Sequence, residues 1–217
     1  MTVDVVVLVP MLGRAHTIPA LRESLYASTD RARILWLVTH GDRKVLQKLG
    51  DDDHLALPPR RYGDYAAKMN AGYWASTEPL IFLGACDIRF HPGWLEACQP
   101  YVDAGFGVVG TNDLSNPRTA TGSLSTHTLV TRAYVQKFGT IDQPNTLLHD
   151  GYWHEYVDDE FCATAKARGQ WAHAPDAHVE HLHPDHGKRP RDGLDDQRPR
   201  RMAQGRRVFR RRRHLWT

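Results

Sequence analysis

The stretch Pro79–Glu96 reads PLIFLGACDIRFHPGWLE. Leu80 to Leu83 is a short run of bulky apolar residues, which predicts a buried strand. Gly84 and Ala85 are small, and a lone carboxylate, Asp87, follows them. Pro92 and Gly93 mark a turn, and Trp94, Leu95, Ala97 and Cys98 begin a helical pattern. A carboxylate is therefore expected just beyond the C-terminal end of a buried strand, the position where open α/β sheets bind ligands. Taken alone, an aspartate there can equally serve the turn.

Working upstream, Val3 to Val9 is almost continuously apolar and β-branched, as in a strand buried on both faces. Pro10 ends it, and Gly13 and Arg14 fall in a loop. A helix is expected over Thr17–Ser28, with Thr17 as cap, Pro19 in the first turn and Ile18, Leu21 and Leu25 on one face. Ile34 to Val38 reads as the next strand, ending at Asp42, and the strand–helix–strand order is that of a parallel crossover. Asp42 can cap a helix over Arg43–Leu49. A short strand is expected at His54–Leu57 and a helix over Asp64–Ala75 that carries Lys68. No Gly-x-Gly-x-x-Gly occurs, which argues against dinucleotide binding.

Downstream, Gly107–Gly110 and His127–Val130 read as strands on either side of a loop, 114–123, rich in Ser, Asn, Thr and Pro and expected to be mobile. A helix ending at Phe138-Gly139 follows. His149–Gly169 reads HDGYWHEYVDDEFCATAKARG. Asp158 is expected to cap a helix that stops at Gly169. Three acids at a helix start suit the macrodipole without any catalytic role. Ala177–His186 reads AHVEHLHPDH; a strand over Ala177–Leu182 points His181 and His183 to one face and His178 and Glu180 to the other.

The order of these elements resembles family 2 glycosyltransferases, which have the GT-A fold: an α/β, Rossmann-like nucleotide-binding half with a mostly parallel sheet, followed by an acceptor-side half. Phage-encoded members look especially similar, with Gly-Ala-Asp-Asp-Val before Phe-His-Pro-Gly-Trp. The resemblance covers residues 3–186. In the family a cluster of two or three Asp residues holds the metal; here Gly84 and Cys86 stand in place of Asp and Asp87 alone remains.

The resemblance implies that Pro10, Gly13 and Arg14 border the nucleotide, that Asp42 contacts base or ribose, and that Lys68 faces the diphosphate as a point charge. Asp87 then holds a divalent cation. His181 or His183 completes a site that has lost its other carboxylates, and imidazole ligands suit Mn²⁺ better than Mg²⁺. Aligned by Phe161 and Gly169, Asp158 is the general base, with Asp159 its neighbour and fallback. Such an enzyme moves a sugar from a nucleotide-diphosphate donor, a UDP-sugar first among them, to a hydroxyl acceptor with inversion. The chemistry needs two separated acidic sites: a cation beneath the leaving diphosphate and a base for the incoming hydroxyl.

The chain has 217 residues, enough for one domain with a sizeable core. No apolar run approaches a membrane span, and the N-terminus does not read as a signal peptide. Cys86, Cys98 and Cys162 lack metal-ligand spacing and suit free thiols in a reducing cytoplasm.

Charge is unevenly spread. Residues 187–217 carry 12 Lys/Arg against 3 Asp, a net of +9, while residues 1–186 carry 16 basic against 22 acidic side chains, a net of −6. The chain thus divides into a transferase-like body, 1–186, and an Arg-rich C-terminal tail or helix, 187–217, with Val208 and Phe209 expected to dock on the body. Arg-rich segments attract polyanions, and DNA is the obvious one. The acceptor readings are a hydroxylated base in phage DNA, or a virion protein or glycan. A rival class is a non-catalytic nucleic-acid-binding protein on a degenerate transferase fold. A further alternative is nucleotidyl transfer, which releases pyrophosphate.

Overall fold

A computed structural model describes residues 3–60 and 63–217. In chain order the elements are β1 (Val5–Pro10), α1 (Ile18–Ser28), β2 (Ala32–Thr39), α2 (Arg43–Leu49), β3 (His54–Leu57), α3 (Tyr65–Ala75), β4 (Leu80–Leu83) and β5 (Ile88–Phe90). They continue with α4 (Trp94–Asp103), β6 (Val108–Asn112), α5 (Pro117–Ala120), β7 (Thr128–Thr131), α6 (Arg132–Phe138), α7 (Val157–Ala167), β8 (Trp171–His181) and α8 (Arg198–Arg212).

Among the described residues the strands form one sheet in the order β3-β2-β1-β4-β7-β6-β8-β5. Strands β3, β2, β1 and β4 run parallel. β7 enters antiparallel between β4 and β6, and β8 pairs parallel with β6 and antiparallel with β5. The first half is thus a crossover-built nucleotide-fold sheet and the second half a mixed extension of it.

The continuous apolar run of β1 is explained by its central place. Val5, Val7 and Val9 pack with α1, α2 and α4 on one face. Val6 and Leu8 pack with α3, α6 and α7 on the other. Phe82, Phe90 and Trp94 meet with ring centroids 4.9–5.3 Å apart, which ties β4, β5 and α4 together. Each such ring pair adds about 0.5–1.5 kcal/mol beyond its buried area.

Several local expectations are corrected. Thr17 donates its hydroxyl to the Arg14 carbonyl at 3.0 Å and makes no side-chain cap. Residues 114–123 are not loose: the buried Asp113 accepts from Ser115 N, Asn116 N and the Thr119 hydroxyl at 2.7–3.0 Å and nucleates α5. Residue 156, not Asp158, is the N-cap of α7; Tyr156 holds φ 70°, and Asp158 lies inside the first turn. β5 was not expected at all.

The Arg-rich segment forms α8, and Val208 and Phe209 pack against the core face beneath α7. Gln204 is buried and bonds Gly151 O and Trp153 N at 2.7 and 3.1 Å. Gly205 lies against the Glu155 carbonyl, where a Cβ would stand only 2.2 Å from the oxygen. Arg212 pairs with buried Glu160 and with Asp142 at 2.8 Å. Among the described residues no helix is long and apolar enough to cross a membrane.

Candidate active site

The C-terminal ends of the parallel strands open into a cleft of about 770 Å³. Its walls bring together Pro10, Arg14, Asp87, His127, Asp158 and His181. The two acids singled out from the sequence, Asp87 and Asp158, therefore share one cavity.

Asp87 is placed by strand pairing. β4 ends at Leu83, Gly84 N donates to Leu8 O at 3.0 Å, and the chain turns through Ala85 and Cys86. β5 then pairs with β8 so that Ile88 opposes His181, and Leu182 N donates to the Asp87 carbonyl at 2.8 Å. The missing carboxylates have a steric correlate: a Cβ at Gly84 would stand 2.9 Å from the Leu8 carbonyl. Cys86 is buried, and burial, with the Asp87 charge beside it, pushes its thiol up to about 12. It is a neutral thiol at pH 7.

The Asp87 side chain is 8% exposed. Burial alone would raise its pKa. His181 on one oxygen, with Arg14 and Arg189 on the other, outweighs that and holds the carboxyl well below the usual range. Oδ1 stands 3.6 Å from His181 Nε2, and Oδ2 stands 3.3 Å from both Arg14 Nη1 and Arg189 Nη2.

This donor set fits a divalent cation. A separation of 3.6 Å is long for a hydrogen bond; two cis ligands of one ion, each about 2.1 Å away, stand about 3.0 Å apart, so the pair closes by roughly 0.6 Å to share an ion in that geometry. Among the described residues no three His, Cys, Asp or Glu side chains form a complete protein site. Any ion at Asp87 and His181 must complete its shell with ligand oxygens.

His183 is less suited. Its Nδ1 accepts from Asp185 N at 3.2 Å, which leaves the proton of the neutral ring on Nε2 and no lone pair for a cation. Behind His181 lies His127, buried, with ring centroids 4.8 Å apart. His127 Nδ1 faces Leu83 O at 3.3 Å and must donate to it, so Nε2 is a bare acceptor, buried with no hydrogen-bond partner.

Asp158 lines the same cleft from the first turn of α7. Burial pushes its carboxyl up to about 7, helped by the neighbouring charges of Asp159 and Glu155. Its own field, after burial, raises the Tyr65 phenol as well. A carboxylate near pH 7 suits proton transfer at neutral pH. Asp159 is tied to Arg118 at 2.7 Å, and Glu160 accepts from the Tyr152 hydroxyl at 2.6 Å besides pairing with Arg212. Of the three acids, Asp158 alone has no cationic side chain bonded to it among the described contacts.

The expected nucleotide residues divide. Pro10 and Arg14 line the cleft. Gly13 and Asp42 stand behind it: Asp42 caps α2 through Val45 N at 3.2 Å and accepts from Gly13 N at 2.9 Å, so it shapes the loop.

Lys68 is a correction. It is 2% exposed, and its ammonium is spent on the Met11 carbonyl, Thr39 Oγ1 at 2.8 Å and Asp64 at 2.8 Å. Three donors meet three acceptors, so none is left for a phosphate. Its work is to bind the ends of β1 and β2 to α3. His127 and Arg189 were missed. No local pattern marks His127, and Arg189 was hidden among a dozen basic residues of the C-terminal segment.

No protein-family model matches this chain, and no curated protein matches it either. Solved structures do. The mannosyltransferase PcManGT from Pyrobaculum calidifontis, in complex with GDP-Man and Mn²⁺, superposes with TM-score 0.64 at 16% identity, covering 91% of this chain and 60% of that one. Glucosyl-3-phosphoglycerate synthase from Mycobacterium tuberculosis, with Mn²⁺, UDP and glucosyl-3-phosphoglycerate, gives 0.63 at 15%, covering 95% and 77%. S. aureus TarS 1–349 gives 0.59 at 13%, covering 81% and 59%. The present chain thus spans about three-fifths of the first and third of these. The likeness establishes a GT-A fold.

Proposed function

We propose that this protein is a metal-dependent inverting glycosyltransferase that uses a nucleotide-diphosphate sugar. The observation that carries the reading is a cleft, at the strand ends of a GT-A sheet, lined by both the Asp87–His181 pair and Asp158. Fold alone would not suffice, because α/β folds host many chemistries. The neighbours solved with Mn²⁺ and with GDP-Man or UDP lend support.

Asp87 Oδ1 and His181 Nε2 would hold the cation, which when bound supplies Lewis-acid stabilisation of the leaving diphosphate. Asp158 takes the proton of the acceptor hydroxyl. The acceptor oxygen forms its bond to the anomeric carbon as the bond from that carbon to the phosphate oxygen breaks. The electron pair leaves with the nucleoside diphosphate. A base so placed contributes typically about 10²–10⁴-fold in rate. Arg14 and Arg189 stand beside Asp87, within reach of the charge that gathers on the departing group.

For the acceptor we propose a hydroxyl on a polyanion, DNA first. Arg198, Arg200 and Arg201 of α8 line the cleft, and Arg206, Arg207, Arg210 and Arg211 continue outward as an exposed basic face. The three cysteines are all free and buried, in keeping with a reducing compartment such as the cytoplasm.

The test is a thermal-shift screen of nucleotide sugars with and without Mn²⁺, followed by product analysis. Binding raises the melting temperature by mass action. A Mn²⁺-dependent shift and release of a nucleoside diphosphate are expected. Pyrophosphate as product would mean nucleotidyl transfer instead, and no shift with any donor would leave a nucleic-acid-binding protein on a transferase frame.

A further inference from the structure

After β8 the chain folds back over the cleft and delivers Arg189 beside Arg14, from opposite ends of the sequence. Both side chains are largely buried and both reach Asp87 Oδ2 at 3.3 Å. Their remaining donors meet two carboxylates of the same returning segment. Arg14 Nε and Nη2 grip both oxygens of Asp192 at 2.7 and 2.9 Å, a bidentate fork. Arg14 Nη2 and both Arg189 terminal nitrogens converge on Asp195 at 2.7–2.9 Å. Arg189 Nε is buried and has no hydrogen-bond partner among the described residues.

The two carboxylates differ. Asp195 is 5% exposed and accepts the backbone N–H of residue 192 at 2.8 Å, so it belongs to the turn. The Asp192 side chain is 37% exposed; apart from Arg14 and a looser ion pair with Arg189 Nη1 at 3.9 Å, its bonds are to Leu194 N and Asp195 N at 3.0 and 3.3 Å. An amide oxygen can accept those two backbone bonds as well as a carboxylate can; only the pairing with the two arginines requires charge.

We propose that Arg14 and Arg189 form a diphosphate-binding pair and that Asp192 occupies the phosphate position on Arg14 until the ligand displaces it. The proposal rests on the donor class inferred above. A guanidinium fork accepts phosphate in the geometry in which it accepts carboxylate. A diphosphate offers more charge than one carboxylate and can engage the Arg14 fork together with Nε of Arg189, the one donor of that side chain not already spent on Asp87, Asp195 or the Pro190 carbonyl. While Asp192 is in place, apparent affinity is reduced by the fraction of molecules in which Arg14 is occupied.

The experiment titrates inorganic pyrophosphate into the full chain by calorimetry, in EDTA so that the Asp87–His181 pair holds no cation. Asp192→Asn keeps the turn and removes the competing charge. It should tighten pyrophosphate binding about fivefold or more, and Arg189→Gln should weaken it about tenfold. Should Arg189→Gln melt early, Arg189→Lys, which keeps the charge and loses the fork, should still weaken binding. Unchanged or weaker binding by a folded Asp192→Asn overturns the proposal. So does unchanged binding by Arg189→Gln or Arg189→Lys, or no binding by any form. Pyrophosphate binding with no sugar nucleotide turned over removes the glycosyltransferase reading and leaves the clamp. Sugar transfer with pyrophosphate affinity indifferent to all three substitutions removes the clamp alone.

Discussion

At the residue scale, identical side-chain types do opposite work according to what surrounds them. Asp87 is held ionised by two guanidiniums and an imidazole, while Asp158 is pushed up to about 7 by burial and by like charges. If Asp158 is the base, its deprotonated fraction rises with pH. The rate of transfer should then fall about tenfold per unit below about pH 6 and level off above 8. Asp158→Asn should keep donor binding and lose about 10²-fold or more in transfer, as read by nucleoside diphosphate release. Full transfer by that variant would refute the role.

Stability should move the other way. A carboxyl whose folded pKa lies above its unfolded value costs the folded state stability as pH rises from about 4 to about 7. Asp158→Asn should therefore raise the melting temperature at pH 8 and not at pH 4. At position 84, restoring the family's carboxylate by Gly84→Asp should lower stability without strengthening Mn²⁺ binding, because the Leu8 carbonyl closes the space. A gain in Mn²⁺ affinity with an unchanged melt would contradict that account.

At the element scale, the basic helix packs on the body. The sequence reading stopped the transferase at residue 186 because charge changes sign there. Yet α8 seats Gln204 and Gly205 on the segment before α7 and closes a pair between Arg212 and buried Glu160. Arg212→Ala leaves that carboxylate buried beside Tyr152 without its partner, a loss of about 3–5 kcal/mol in urea unfolding. Gly205→Ala forces a methyl into the Glu155 carbonyl and should lift the helix, lowering the melt as well. If either variant unfolds like the parent, the helix is not a structural member. Lys68 teaches the same lesson: a lysine on an amphipathic helix face read as a ligand group, and the fold uses it as an interior strut.

At the scale of the whole molecule, an acidic body carries one basic face that starts at the cleft. Binding to a DNA oligonucleotide should weaken steeply with salt. Replacing Arg207 and Arg211 by Ala should reduce the log–log salt slope by about 2. A slope indifferent to both arginines would direct the acceptor search away from polyanions.

The sequence by itself determined the parallel half of the sheet and the crossovers that build it. Period, apolar runs and turn residues are local signals, and they placed β1, β2, α2, β3 and β4 within a residue or two of where they lie. They also put Asp87 at a strand end and the acids of α7 at a helix start. Tertiary structure alone decided which of those groups meet. The three-residue β5 is too short to read, but its pairing with β8 sets His181 against Asp87. The turn after β8 then brings Arg189 over the same carboxylate. These contacts join residues roughly a hundred positions apart, and no local pattern encodes which distant charge a buried carboxylate will face.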